Sequence, residues 1–384
     1  MEMMRQWLAR QLANPQVVIL ALLLVAGFSV VLLMGDMLAP VLAAVVIAYL
    51  LEGVVGPLER HGVPRLLATA VVFLGFMAFV LFLVFGLAPL ISRQVTQLVQ
   101  QLPGMIASGQ AVLERLPERY PQFVTQEQIQ ALIEAVRAEV AALGQEVLSR
   151  SVTSVIGIAT FVVYVVLVPI LVFFMLKDKA RILAWFDRYL PRERELAVRV
   201  WHEVDHQIGN YIRGKFWEIL IVWGVSFVTF SLLGLQFAML LSLIVGVSVI
   251  IPFIGAVAAT VPVALVGYFQ WGWSGEFAWL MAAYTVIQVL DGNVLVPLLF
   301  SEAVDLHPVA IIVAVLFFGG LWGFWGVFFA IPLAVLVKAV LNALPGPEDA
   351  EGEEAGGPAA GQAGEEAAPA GGAAAGEAAG GERG

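Results

Sequence analysis

Asp291 and Asn293 stand between two apolar runs, Trp279–Leu290 and Val294–Phe300. An ionisable group at membrane depth costs several kcal/mol unless it faces a cavity or a partner, so this placement points to binding of an ion or a solute. Proton or sodium carriage is one form of that chemistry. The competing reading is a helix break at the interface, with Asp291 capping the next segment. Gln288 lies one turn before Asp291 and shares its face, and Pro297 closes the interruption. Glu302, Asp305 and His307 form a second polar group, either part of the same site or an interfacial loop. A third element is backbone. Pro252-Phe253-Ile254-Gly255 breaks an apolar stretch, and half-helix ends at such breaks can hold ions or polar solutes without a charged side chain. Pro252, Phe253 and Gly255 therefore join the candidate site, which suits a small, uncharged or weakly charged molecule.

A different chemistry is suggested by His202-Glu203-Val204-Asp205-His206, which fits the H-E-x-x-H pattern of zinc hydrolases. The apolar stripe around it is Leu196, Val200, Val204 and Ile208. His202 lies two residues from Val200 and from Val204, about 200° around a helix, on the polar side. The other histidines, His61 and His307, are far away in sequence. A solvated amphipathic helix accounts for the motif better than a membrane-anchored zinc protease, and no metal or other cofactor is expected.

Nucleotide-driven and thiol chemistry find no support. The chain has no P-loop, no dinucleotide-binding glycine fingerprint, no Gly-x-Ser-x-Gly and no cysteine. It carries no ATPase of its own, so active transport must draw on an ion gradient, and no enzymatic activity is expected.

The elements that must position these residues are membrane helices. The chain is 60% hydrophobic and 13% charged, with the apolar residues in long blocks, where a soluble domain carries about 25% charge. Residues 1–90 hold three expected spans, about Val17–Met34, Met37–Val55 and Arg65–Leu90. Residues 91–150 read as an amphipathic helical insert outside the cytoplasm. Ile91, Val95, Leu98, Val99 and Leu102 form one stripe, and Pro103-Gly104 is expected to interrupt it. Thr125 and Gln128 form a capping box that opens a second stripe from Ile129 to Val147. The stripes pack on each other or serve as a subunit contact. A fourth span covers 151–176. The segment 177–215 carries nine Lys/Arg among six acids and is cytoplasmic by the positive-inside rule, with nucleic-acid binding not expected.

Residues 216–345 contain no Lys or Arg until Lys338. Their apolar runs are broken: arms Leu235–Ile250 and Ala256–Phe269 are short against the roughly 20 residues that a span needs. Such arms read as re-entrant hairpins. Further breaks are expected at Asp291–Pro297 and at Gly319–Gly323, and Trp271, Trp273 and Trp279 suit an interfacial belt. The tail 346–384 reads as disordered. Its segment from Glu348 holds nine acids and only Arg383, hence −8 of the total −10, so the acidity belongs to the tail and not to a binding face.

In order and at their spacings, several motifs resemble the autoinducer-2 exporter (PerM-like permease) family. They are Pro40, Ala48-Tyr49-Leu50-Leu51, Pro57-Leu58, Pro64-Arg65 and Val168-Pro169-Ile170 with Phe173, Lys177 and Asp178. Ile208–Gly214, Ile251–Gly255, Asp291–Pro297, Leu306-His307-Pro308 and Gly323 through Leu333 complete the set. The resemblance implies an all-α integral membrane protein of about eight transmembrane helices, including broken helical hairpins. It also implies a bacterial inner-membrane homo-oligomer, a pentamer, with elevator-type movement of the hairpin region. Its members are assigned to autoinducer-2 export and some to sodium/proton antiport. The resulting expectation is a secondary transporter of a small solute, in contact with membrane lipids. Antiport through Asp291 and a non-transporting membrane scaffold remain the alternatives. Arg213 is expected to pair with Asp178 or a lipid phosphate.

Overall fold

A computed structural model describes residues 15–113, 155–189, 195–252, 254–300 and 306–343, together with part of 125–142. Expectations for Phe253, Glu302, Asp305 and the 346–384 tail fall outside the described residues, as do those for most of the second insert stripe. The described residues are helical, with no strand among them, and belong to the unit Pro15–Ala343.

α1 (Pro15–Arg60) holds both of the first two expected spans in one helical run, bent at Met34 where φ is −124° and ψ is 15°. α2 (Arg65–Leu81) follows after a turn at Gly62. It passes through a π-helical stretch, Phe82–Leu87, into α3 (Ala88–Leu113). The third span and the insert are thus continuous. Pro103 does not interrupt α3, contrary to the sequence reading. Proline removes one backbone donor, but a helix already held by packing at Ile91, Val95 and Leu98 propagates past that loss. Ile91, Val95 and Leu98 of that stripe pack on the C-terminal core. Gln94 reinforces the contact, its Oε1 accepting from the backbone N–H of Leu240 at 2.8 Å. The capping box at Thr125 forms as read, with reciprocal bonds of 3.1 and 3.3 Å to Gln128.

α4 (Val155–Lys177) returns beside α1, and Ala44, Ala48, Val55, Val172 and Leu176 bury between them. Arg65 secures one end of this pair. It donates to Glu59 at 2.9 Å, to Glu52 at 3.3 Å and to the Leu176 carbonyl at 2.6 Å, while Lys179 meets Glu52 at 3.0 Å. A basic side chain at the last carbonyls of a helix answers its unpaired acceptors and its dipole together. α5 (Lys179–Asp187) then leads to the central helix.

That helix, α6 (Glu195–Leu232), touches α1, both hairpins and the arm that carries Asp291. The first hairpin is α7 (Ala238–Ser248), a turn, and α8 (Ile254–Trp271). α7 has 11 residues, about 16 Å of helix at 1.5 Å per residue, about half the hydrocarbon thickness. The turn is drawn tight by Gly255: a Cβ there would strike the carbonyl of Ser248.

Next comes α9 (Gly275–Leu290), opened by Ser274 accepting from the N–H of Phe277. It does not break at Asp291. It widens into a π-helical segment, Asp291–Leu295, and runs on as α10 (Val296–Phe300). The second hairpin is α11 (Pro308–Phe328) with α12 (Ala330–Ala343). Its reversal is at Gly323, whose φ of 57° and ψ of −131° suit only glycine. Gly326 then lies against the carbonyl of Phe318, as Gly255 does against Ser248.

Among the described residues six helices are long and apolar enough to cross a membrane, with shorter apolar helices at Pro15–Val30, Tyr164–Lys177, Ala238–Ser248 and Ala330–Asn342. Large apolar side chains such as Leu74, Phe85, Leu232 and Leu298 face outward, as they do where the surrounding solvent is lipid. The protein is an all-α membrane protein.

Candidate functional site

The charged residues that α6 carries into the apolar region were the least regarded in the sequence. Lys215 closes the basic segment, and Glu218 is the next charge along. One helical turn apart, they form an ion pair of 2.6 Å with side chains only 6% and 3% exposed. An ammonium has three donors and needs acceptors for them when buried. The second goes to the backbone carbonyl of Val249, at 2.9 Å, which is the C-cap of α7 and thus the tip of the first hairpin. The ammonium also stands over the ring of Phe300, 5.2 Å from its centroid, at the end of the Asp291 arm. Gly214 makes this approach feasible, because a side chain there would collide with Phe300 and the Leu299 carbonyl. Tyr211, one turn earlier, packs on Phe300 at 5.7 Å between ring centroids.

Asp291 opens the π segment that packs against α6, the helix that carries Lys215 and Glu218. Its Oδ1 is buried without a hydrogen-bond partner, and so is Nε2 of Gln288. An unpaired acceptor and an unpaired donor thus sit one turn apart, where the helix widens into a π segment. Such bulges often mark functional sites because they turn side chains away from the regular helical register. Unmade hydrogen bonds of buried groups cost about 1–3 kcal/mol each, which a bound polar molecule recovers.

Other residues singled out in the sequence are placed differently. Asn293 is exposed and returns its amide to the Val289 carbonyl at 2.9 Å, and Pro297 is exposed on the same arm. His307 is exposed and caps α11, its ring Nδ1 accepting from the N–H of Val309 at 3.2 Å. Pro252 is half-buried in the hairpin turn, where neighbouring Ile251 packs against Ala314, Val315 and Phe318 of the second hairpin. The tip of the first hairpin therefore meets the arms of the second.

Arg213 does not reach Asp178. It donates to Asn210 at 2.9 Å and lies across Gly53, while Asp178 faces Arg181 at 3.8 Å. Beside it Tyr49 donates to Asp205 Oδ1 at 2.6 Å, joining α1 to α6. The H-E-x-x-H residues His202, Glu203 and His206 are exposed, while Val200 and Val204 are buried on the opposite face. Among the described residues no three His, Asp or Glu side chains are grouped to hold a metal ion.

Comparison with known proteins agrees with the architecture. The family described as AI-2E family transporter matches residues 17–346. A protein of Escherichia coli (strain K12) that carries the name of a permease, PerM, is 45% identical over 345 residues, covering 90% of this chain and 98% of that protein. YueF of Bacillus subtilis (strain 168), named as a transport protein, is 28% identical over 306 residues, 78% of this chain and 82% of its own length. The AI-2 transport protein TqsA of Escherichia coli (strain K12) is 25% identical over 334 residues, 85% of this chain and 93% of its own. The chain thus belongs to the AI-2E transporter family of multi-pass membrane permeases.

Proposed function

We propose that this protein is a secondary transporter that carries a small, hydroxyl-bearing solute across the bacterial inner membrane, with autoinducer-2 export as its activity. The observation that carries the reading is the pairing of Gln288 Nε2 with Asp291 Oδ1, both buried and both without partners, at a π-widened turn beside the Lys215–Glu218 pair. A hydroxyl group donates and accepts at once, and so satisfies both atoms. The elevator-type mechanism is supported by two hairpins, the tip of the first packed on the arms of the second, each closed by a glycine against a carbonyl. In this reading Pro252, Phe253 and Gly255 form the moving tip, with Asn293, Pro297, Glu302, Asp305 and His307 on its approach. Membrane lipid surrounds a homo-oligomer, a pentamer. Autoinducer-2 flux into proteoliposomes tests the substrate. Flux that depends on protein and falls to the empty-liposome level in Asp291→Ala supports the reading, and absence of flux under imposed proton and sodium gradients refutes it.

A second reading, sodium/proton antiport, draws on two carboxylates, Glu218 and Asp291, in the field of one buried lysine. It requires sodium flux that follows an imposed pH gradient and disappears in Asp291→Asn.

A further inference from the structure

Lys215 is a costly residue to keep where it is. Replacing a buried ion pair by apolar side chains of similar volume is often neutral or stabilising, so stability alone does not account for one. What distinguishes this ammonium is the number of elements it ties together. It belongs to α6, pairs with Glu218 on the same helix, donates to Val249 at the tip of the first hairpin, and covers Phe300 at the end of the Asp291 arm. The ammonium has two acceptors, the Glu218 carboxylate and the Val249 carbonyl, with the face of Phe300 beside it, and a further charged acceptor competes with them for it. The carboxylate of Glu218 at 2.6 Å is a charged acceptor and the carbonyl of Val249 is a neutral one, so the hairpin contact is the one that gives way.

The charges decide what the displacement responds to. Lys215 contributes +1, and Glu218 and Asp291 contribute −1 each when ionised, leaving the group at −1 with Asp291 as the unpaired member. Asp291 is therefore a standing competitor for the ammonium that now holds Val249. A change at Asp291, such as a solute engaging its oxygen, alters that competition and with it the hold on the hairpin.

We propose that Lys215 is the positioning residue that couples occupancy at Asp291 to the hold on the first hairpin, through the bond from its Nζ to the Val249 carbonyl: a solute on Asp291 removes the competing carboxylate and keeps the bond, and an empty site loosens it. This rests on the transporter reading above for its solute, but its signature is conformational and can be read without flux. Tyr211, Glu218, Asp291 and Lys215 are the titratable side chains that share this environment among the described residues.

The absence of native cysteine permits a clean test. Ile251→Cys places a single thiol on the hairpin tip, where it is half-buried against the second hairpin. Its rate of reaction with N-ethylmaleimide in membrane vesicles reports how often the tip is released. Adding Lys215→Met together with Glu218→Met removes the latch without leaving a buried charge. The labelling rate is expected to rise by roughly tenfold, the population change that loss of one charge-assisted hydrogen bond supports. Lys215→Gln with Glu218→Gln keeps buried polarity but shortens the side chain by one bond, and gives the same direction if the methionine pair does not fold. Autoinducer-2 is expected to lower the parent's rate and to leave both double variants unmoved, and a raised parent rate overturns the coupling. Labelling rates within about twofold of the parent in a folded double variant overturn the latch. Labelling that responds to the double variant while autoinducer-2 produces neither flux nor a rate change leaves the latch standing and removes the substrate assignment. Flux that persists in the double variants with wild-type labelling does the reverse.

Discussion

Gly255 and Gly326 hold the same position in two hairpins, and substituting alanine at each tests the hairpin geometry directly. Helical glycines with open space around them serve as controls. At Gly224 in α6 and Gly75 in α2 an added Cβ meets nothing within 4 Å. Alanine is the better helix former by about 0.5–1 kcal/mol, so Gly224→Ala and Gly75→Ala are expected to be neutral or stabilising. At Gly255 the new methyl falls on the Ser248 carbonyl, and at Gly326 on that of Phe318. Both neighbours are backbone, so no rotamer change relieves the overlap, and the two arms of the hairpin must separate. Overpacking of this kind costs about 1–3 kcal/mol, and rigid neighbours put these sites at the upper end. Subtracting the propensity gain leaves about 2 kcal/mol of net destabilisation at each. Thermal unfolding of the detergent-solubilised protein, followed by size-exclusion recovery after heating, ranks the four variants. The order expected is Gly255→Ala and Gly326→Ala well below wild type, with the two controls at or above it. If Gly255→Ala is as stable as Gly224→Ala, the close approach of the hairpin arms is wrong.

Three further outcomes follow from the same structure. Lys215→Met leaves Glu218 buried and unpaired, which is expected to destabilise by about 3–5 kcal/mol in thermal unfolding. Adding Glu218→Met restores most of that loss, and a double variant as unstable as the single one contradicts the pairing. Ser274→Ala removes the N-cap of α9 and should cost about 1 kcal/mol, measured by the same unfolding assay, with transport unchanged. Gly323→Ala places a Cβ on backbone at φ 57°, ψ −131° and should cost about 1–3 kcal/mol, whereas Gly320→Ala, with open space around it, should not.

Much of this architecture was legible because membrane helices announce themselves by length and apolarity. The α4 span, the short arm α7 and the reversal near Gly323 follow from runs of apolar residues punctuated by Pro and Gly, whereas the second arm of that hairpin, α8, is 18 residues and long enough to cross a membrane, not short as its sequence suggests. The capping box at Thr125 was readable for a similar reason, since its two residues suffice to make it. Punctuation was over-read in two places. Pro103 lies inside a continuous helix, and Asp291-Gly292-Asn293 widens its helix to π geometry without breaking it. In both, backbone bonds to neighbouring turns and packing by flanking residues override the local preference.

The site was legible only on one side. Asp291 and Gln288 stand out because they are polar within an apolar run. Lys215 and Glu218 sit at the seam between a basic segment and a membrane helix, where charges are ordinary. What marks them is the contact with Val249, 34 residues on from Lys215, and no spacing rule encodes that meeting. The i,i+3 interval was the available signal, and on a helix entering a membrane it is enough to nominate the pair. Arg213 was assigned to Asp178 on charge alone. In the fold the glycines at 53 and 209 make room for it beside Tyr49, a packing reason that charge does not convey.

The most direct test of the account is autoinducer-2 flux in proteoliposomes for wild type, Asp291→Asn and Gln288→Met, with unfolding temperatures measured in parallel. The account predicts protein-dependent flux that both substitutions abolish while each variant unfolds close to wild type. Flux undiminished in both variants would contradict the assignment of the solute site to Gln288 and Asp291.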